Sequence, residues 1–293
     1  MGLRGFLATL ALVLPSLVPT SGFSKPKEIR LKASSNWLVN WGDHSCVLAR
    51  KFGSAASPVL LSMRAYEPGY FLEMIIAGKE ISSFQKSKTF TITYGSGEPI
   101  PVNRHQAGIS GDFGPSVVFS GEMKSRIVDE RAEADDSRRP FPNVPFEKQL
   151  DHVSLANSFK TVVLETGPMA KAFDTLRQCT DNLVKQWGLD PAIQAGLTRK
   201  ATARNIPEWA RQIQASFPSE LLIQNKEARV NVLVVIDERG MPANCDTWQA
   251  FDNTDFKVRA CGIILRNARF DPALDKDGRP TRSYFTTVIV YKS

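Results

Sequence analysis

Three features of the sequence predict an α+β fold in two parts, a β-rich N-terminal domain followed by a small ββαβ C-terminal domain. Short apolar or alternating runs, separated by Gly, Pro, Ser and Asn, fill residues 25–121, the pattern of a mostly antiparallel sheet. One long amphipathic helix follows, and residues 219–293 then read strand, strand, helix, strand. At 293 residues, 42% hydrophobic and 23% charged, the chain suits two modest domains and excludes collagen, coiled-coil and multi-span membrane classes.

The first 24 residues read as an export signal. Arg4 is the basic start, Phe6 to Val18 the apolar run, and Thr20, Ser21, Gly22 and Ser24 the small residues suited to cleavage. A spanning helix wants about 20 apolar residues, and Pro15 and Pro19 interrupt this segment, so cleavage is expected rather than anchoring. The remaining chain is expected in the periplasm, divided into a β-rich domain over 25–190 with a helix at its end, a linker over 191–218, and the C-terminal domain over 219–293.

Within the first domain, strands are predicted at 37–41, 46–52, 58–64, 70–77, 89–94 and 116–119. Residues 124–150 mix Lys and Arg with Asp and Glu ahead of Pro140, Pro142 and Pro145, which suggests a solvated loop. Phe159 to Leu164 is a further strand. A helix opens at Gly167-Pro168 and closes at Gly188, with Met169, Phe173, Leu176, Thr180, Leu183 and Trp187 forming an apolar stripe. Cys179 lies on that stripe, so it is expected to be buried, where it can meet Cys46 from an early strand. Four Cys (Cys46, Cys179, Cys245, Cys261) allow three pairings in an oxidising compartment.

In the C-terminal domain, Arg229 to Ile236 is a strand with Val230, Val232, Val234 and Ile236 on one face. Asp237-Glu-Arg-Gly240 turns the chain, and Met241 to Trp248 returns, with Pro242 marking an edge. Asp255 to Arg269 is helical, with Phe256, Ala260, Ile263 and Ile264 inward. Asp277-Gly-Arg-Pro280 is a turn, and Tyr284 to Tyr291, aromatic and β-branched, is the last strand.

The segments Val234-Val-Ile-Asp-Glu-Arg-Gly240, Ala268-Arg-Phe-Asp-Pro-Ala273, Asp277-Gly-Arg-Pro280 and Thr286-Thr-Val-Ile-Val-Tyr291 resemble, in this order, the C-terminal domain of TonB-family proteins. Trp37 and the blocks Cys46 to Gly53 and Cys179 to Gly188 are similar to the amino-terminal region of exported proteobacterial TonB-like proteins. The resemblance implies a disulfide between Cys245 and Cys261. It also implies that the last strand accepts an extended peptide from an envelope protein such as an outer-membrane transporter. Arg282, Tyr284, Thr286, Val288 and Val290 would form that partner-binding strand, and the alternatives are pairing within its own sheet or with a second copy in a homodimer. Two departures stand out: no spanning anchor or long Pro-rich spacer is evident, and Phe251-Asp-Asn-Thr-Asp-Phe256 replaces the Ser-Ser-Gly and Leu-Asp pattern common before the helix.

No motif carries catalysis. Gly108-Ile-Ser-Gly111 lacks the spacing of a nucleophile elbow and reads as a turn. His44, His105 and His152 have no companion with metal-ligand or acid/base spacing, so no metal, cofactor or catalytic residue is expected. The alternative reading, an envelope enzyme or ligand-binding protein with its site in the N-terminal domain, requires the fold to gather these histidines with carboxylates. The chain carries 37 Lys+Arg against 30 Asp+Glu. Residues 219–293 contribute 11 against 10, so the excess lies upstream and fits peripheral contact with an envelope surface rather than nucleic acid.

Overall fold

The computed structural model describes residues 26–123, 144–216, 228–248 and 254–291. The expected export signal and the mixed-charge residues 124–143 lie outside them.

Eleven strands precede the long helix: β1 (Lys27–Lys32), β2 (Leu38–Trp41), β3 (Cys46–Ser54), β4 (Ser57–Ala65), β5 (Phe71–Ala77), β6 (Phe90–Tyr94), β7 (Ile100–Val102), β8 (Gln106–Ser110), β9 (Gly114–Glu122), β10 (His152–Ala156) and β11 (Lys160–Glu165). Helix α1 (Ser82–Gln85) follows β5, α2 (Val144–Gln149) precedes β10, and α3 (Ala170–Gln186) follows β11. The strands form two sheets, ordered β1-β11-β10-β6-β7 and β2-β3-β4-β5-β9-β8. All pairings within them are antiparallel except β1 with β11.

Alternation along β3 and β4 buries Leu48, Phe52, Val59, Leu61 and Met63. The five-stranded sheet contributes Phe90, Ile92, Val153, Leu155, Val162 and Leu164 to the same core. The α3 stripe closes it with Phe173, Leu176 and Leu183, and a disulfide joins Cys179 to Cys46 on β3. Because it spans 133 residues, this crosslink restricts the unfolded chain over most of the region, an effect of roughly 4 to 5 kcal/mol in the chain-entropy account.

Two local expectations change. Residues 144–149 of the expected loop are helical, because Phe146 is buried and the buried Glu147 carboxylate accepts hydrogen bonds from the Tyr70 hydroxyl (2.6 Å) and Arg177 of α3 (2.5 Å). Gly108 to Ser110 form the end of β8 rather than a turn, pairing with β9.

The rest of the chain comprises α4 (Pro191–Ala195), β12 (Thr202–Ala203), α5 (Ile206–Ala215), β13 (Ala228–Ile236), β14 (Pro242–Trp248), α6 (Thr254–Asn267), β15 (Phe270–Asp271), β16 (Ala273–Leu274), β17 (Pro280–Thr281) and β18 (Ser283–Tyr291). A three-stranded antiparallel sheet, ordered β14-β13-β18, carries α5 and α6 on one face. Val230, Val232, Val234 and Ile236 point into this second core, meeting Ala260 and Ile264 of α6 and Trp209 and Ile213 of α5. The residues expected as a linker therefore include an ordered segment built into the second core: Ala201 is buried there, and β12 pairs with β15. A second disulfide joins Cys245 of β14 to Cys261 of α6.

Gly240 makes a close approach in the hairpin turn. Its φ is +78°, and a Cβ there would lie 2.1 Å from the Phe270 carbonyl oxygen. The Phe270 amide also donates to the Gly240 carbonyl at 3.0 Å, so the turn and β15 are held together backbone to backbone.

Candidate functional site: an edge strand and the face beside it

Strand β18 pairs with β13 along its whole length, from Ser283 opposite Ile236 to Tyr291 opposite Ala228. It has no second strand neighbour among the described residues. Among the described residues its outer edge is therefore without a strand partner, the arrangement from which strand addition starts.

The even-numbered residues of β18 share one face of the sheet, opposite α5 and α6. Antiparallel register places Tyr284 with Val235 and Asn244, Thr286 with Leu233 and Asp246, and Val288 with Asn231 and Trp248. The first part of the chain covers much of this face. Val235 packs with Val184 and Leu189, while the Tyr284 ring meets Trp187 edge to face at 4.9 Å. The Thr286 hydroxyl donates to the Glu67 carboxylate. Further along, the His44 imidazole stacks on Trp248 with ring centroids 5.4 Å apart, Tyr66 lies at 6.0 Å from the same indole, and His44 approaches Asp246 at 3.6 Å.

Electrostatics follow from this cover. Burial pushes the Glu67 carboxyl up from its ordinary range, opposed by the Thr286 hydrogen bond and the charge of Lys200. The Tyr284 phenol is raised well above its ordinary value, first by burial and then by the charges of Glu67 and Asp181. The start of the strand is fastened as well. Gln194 of α4 donates to the Arg282 carbonyl at 2.9 Å, and its side-chain oxygen accepts from the Ser283 hydroxyl at 2.7 Å.

The expected partner-binding residues thus divide. Tyr284 and Thr286 are engaged by the first domain, whereas the side chains of Arg282 and Val288 are exposed. Val290 stands opposite Arg229 in register. The contacts from Glu67 and Trp187 of the first domain, and from Gln194 of α4, were not anticipated. A signal for them exists in β13, where Leu233 and Val235 interrupt the expected polar alternation. A strand apolar at every inner position is buried on both faces, and Leu233 and Val235 are indeed as buried as Val232 and Val234.

The three histidines have separate surroundings: His44 on Trp248, His105 against Phe90 at 5.1 Å, and His152 with Asp151 at 2.6 Å. Among the described residues, no three His, Cys, Asp or Glu side chains are grouped as a metal site would require, and no helix is long and apolar enough to cross a membrane.

Comparison with known proteins agrees with the second half of the fold. No curated protein matches the chain. Residues 213–293 match the family TonB_C, described as Gram-negative bacterial TonB protein C-terminal. This is a non-enzymatic protein-interaction domain, which points to the Gram-negative envelope and to envelope proteins as partners. The three-stranded sheet with its covering helix and edge strand is a TonB-like C-terminal domain, joined here to a β-rich region through the face of that same sheet.

Proposed function

We propose that this is an exported, periplasmic partner-binding protein in which β18 accepts an extended peptide from an envelope protein, an outer-membrane transporter being the leading candidate. The supporting observation is that β18, a nine-residue strand, has β13 as its single strand neighbour among the described residues, which fits strand addition at its other edge. Backbone pairing supplies affinity. Arg282, just before the strand, and Val288 within it are exposed and contribute to choice of partner. Tyr284 and Thr286 act indirectly, because their contacts with Trp187 and Glu67 hold the strand straight against the first domain.

The test is photo-crosslinking from position 288 in intact envelopes, compared with a Val288→Pro chain carrying the crosslinker at Arg282. Proline removes a backbone donor and disfavours regular pairing. Capture of an outer-membrane protein by the parent, lost on Val288→Pro while circular dichroism stays unchanged, is the expected result. Equal capture by both chains would overturn strand addition.

A further inference from the structure

The helical side of the C-terminal domain, remote from the first domain, bears an exposed surface of a different kind. Helix α6 buries Ala260 and Ile264 and turns Val258, Arg259, Gly262, Leu265 and Arg266 outward, a stripe that follows from 3.6 residues per turn. Val258 is 67% exposed and Leu265 39%. Helix α5 lies beside α6, and Asn205 at its start donates to the Asn267 carbonyl (2.9 Å) and accepts from the Arg269 amide (3.0 Å). This fastening places Arg204 and the 42%-exposed Ile206 beside the end of α6, where Arg266 and Arg269 also sit.

Charge on this side is one-signed to an extent the sequence alone conceals. The C-terminal domain is nearly neutral by count, but the preceding segment adds Arg199, Arg204 and Arg211, and the fold lays part of that segment against residues 266–272. Arg199 reaches the Pro272 carbonyl at 3.0 Å, and the Arg204 amide donates to the Arg269 carbonyl at 2.8 Å. Among the described side chains the opposing carboxylates are Asp271, bound by Arg204, and Glu208 in the first turn of α5. Guanidinium groups interleaved with exposed Ile, Val and Leu on paired helices are what an anionic lipid interface selects. Apolar side chains enter the headgroup region, and the cations pair with phosphates.

We infer that the outer face of α5 and α6 docks on an anionic phospholipid surface, with Val258, Leu265 and Ile206 entering the interface and Arg259, Arg266, Arg269 and Arg204 contacting phosphate. This face is opposite the sheet face that meets the first domain, so docking leaves both β18 and the interdomain contacts unobstructed.

The test is flotation of the processed chain with vesicles of phosphatidylcholine alone or containing one-third phosphatidylglycerol. The expected result is binding to the anionic vesicles that weakens with added salt, and little binding to the neutral ones. Arg259→Gln with Arg266→Gln should lower affinity roughly 25-fold, about fivefold for each cation removed near an anionic surface. Val258→Ser with Leu265→Ser should lower it further at high salt, where insertion dominates. All four side chains lie outside the core, and a melting curve that matches the parent's verifies the fold. Equal binding to both vesicle types, no binding to either, or unchanged affinity in the arginine variant would each overturn the inference. Capture of an acidic soluble protein without vesicle binding would also count against it.

Discussion

The two halves of this chain bury their apolar surface by different means. In the first half, two sheets and α3 enclose a core of their own, so a strand such as β3 hides one face and shows the other to solvent or to a neighbouring loop. The second half has a single sheet of three strands, beside two short two-stranded pairs, and cannot do this. Its helices cover one face of the sheet, and the other face, with Leu233, Val235 and Tyr284, is covered by α3 and by the segments around His44 and Glu67. The TonB-like domain is therefore held as a docked module, its central strand sandwiched between its own helices and the preceding β-rich region.

The largest effect that could sharpen this contrast concerns the crosslinks. Replacing Cys46 and Cys179 together by Ala is expected to cost the first half roughly 4 to 5 kcal/mol, against about 3 kcal/mol for Cys245 and Cys261 in the second, because the closed loops differ in length. Calorimetry would measure both. Equal losses would mean that loop length does not govern the difference.

A smaller effect is expected from Val235→Asp, which puts a carboxylate between Val184 and Leu189 while leaving the helix-facing side of β13 untouched. Burying the charge unpaired costs about 2 to 4 kcal/mol, enough to undock the module. The expected outcome is two separate thermal transitions in place of one, with hydrogen exchange accelerated on β13 and little changed on β3. A single unchanged transition would break the description of β13 as a shared strand.

The smallest effect is pH-dependent. Glu67 has a folded pKa above its unfolded value, so the folded state holds its proton more tightly than the unfolded one. Its contribution to docking is fully present below the unfolded pKa and is lost as pH rises through the folded pKa. Melting temperatures measured from pH 4.5 upward should therefore show a decline that Glu67→Gln flattens, since the amide keeps a hydrogen-bonding partner for Thr286 without a charge to bury. An identical pH profile in the variant would remove Glu67 from the interface energetics.

Much of this architecture was legible in the sequence, and the reasons are local. The α3 stripe and the alternation of β13 and β18 are periodicities set by backbone geometry, and Gly240 marks a turn through its φ. What escaped was tertiary. Residues 202–215 have a weak pattern because their apolar residues, Trp209 and Ile213, complete a core whose main strands begin later in the chain. The edge strand was visible as a strand, yet nothing in Tyr284 or Thr286 by itself indicates that Trp187 and Glu67 will face them from more than 90 residues away in sequence. The continuous apolar run from Val232 to Ile236 was the one readable hint that this strand has two buried faces.

The turn at Gly240 binds two stretches of the chain into one unit of inheritance. A side chain there would collide with the Phe270 carbonyl, and β15, which carries that carbonyl, is itself held on its other side by β12. Any descendant that replaced this glycine would have to move β15, and moving that strand would dislodge the segment before α5, which pairs with it. Because the obstacle is a backbone oxygen, no side-chain change at position 270 should rescue a substitution at position 240, some thirty positions away in sequence, a rule that deep mutational scanning of the two positions would check.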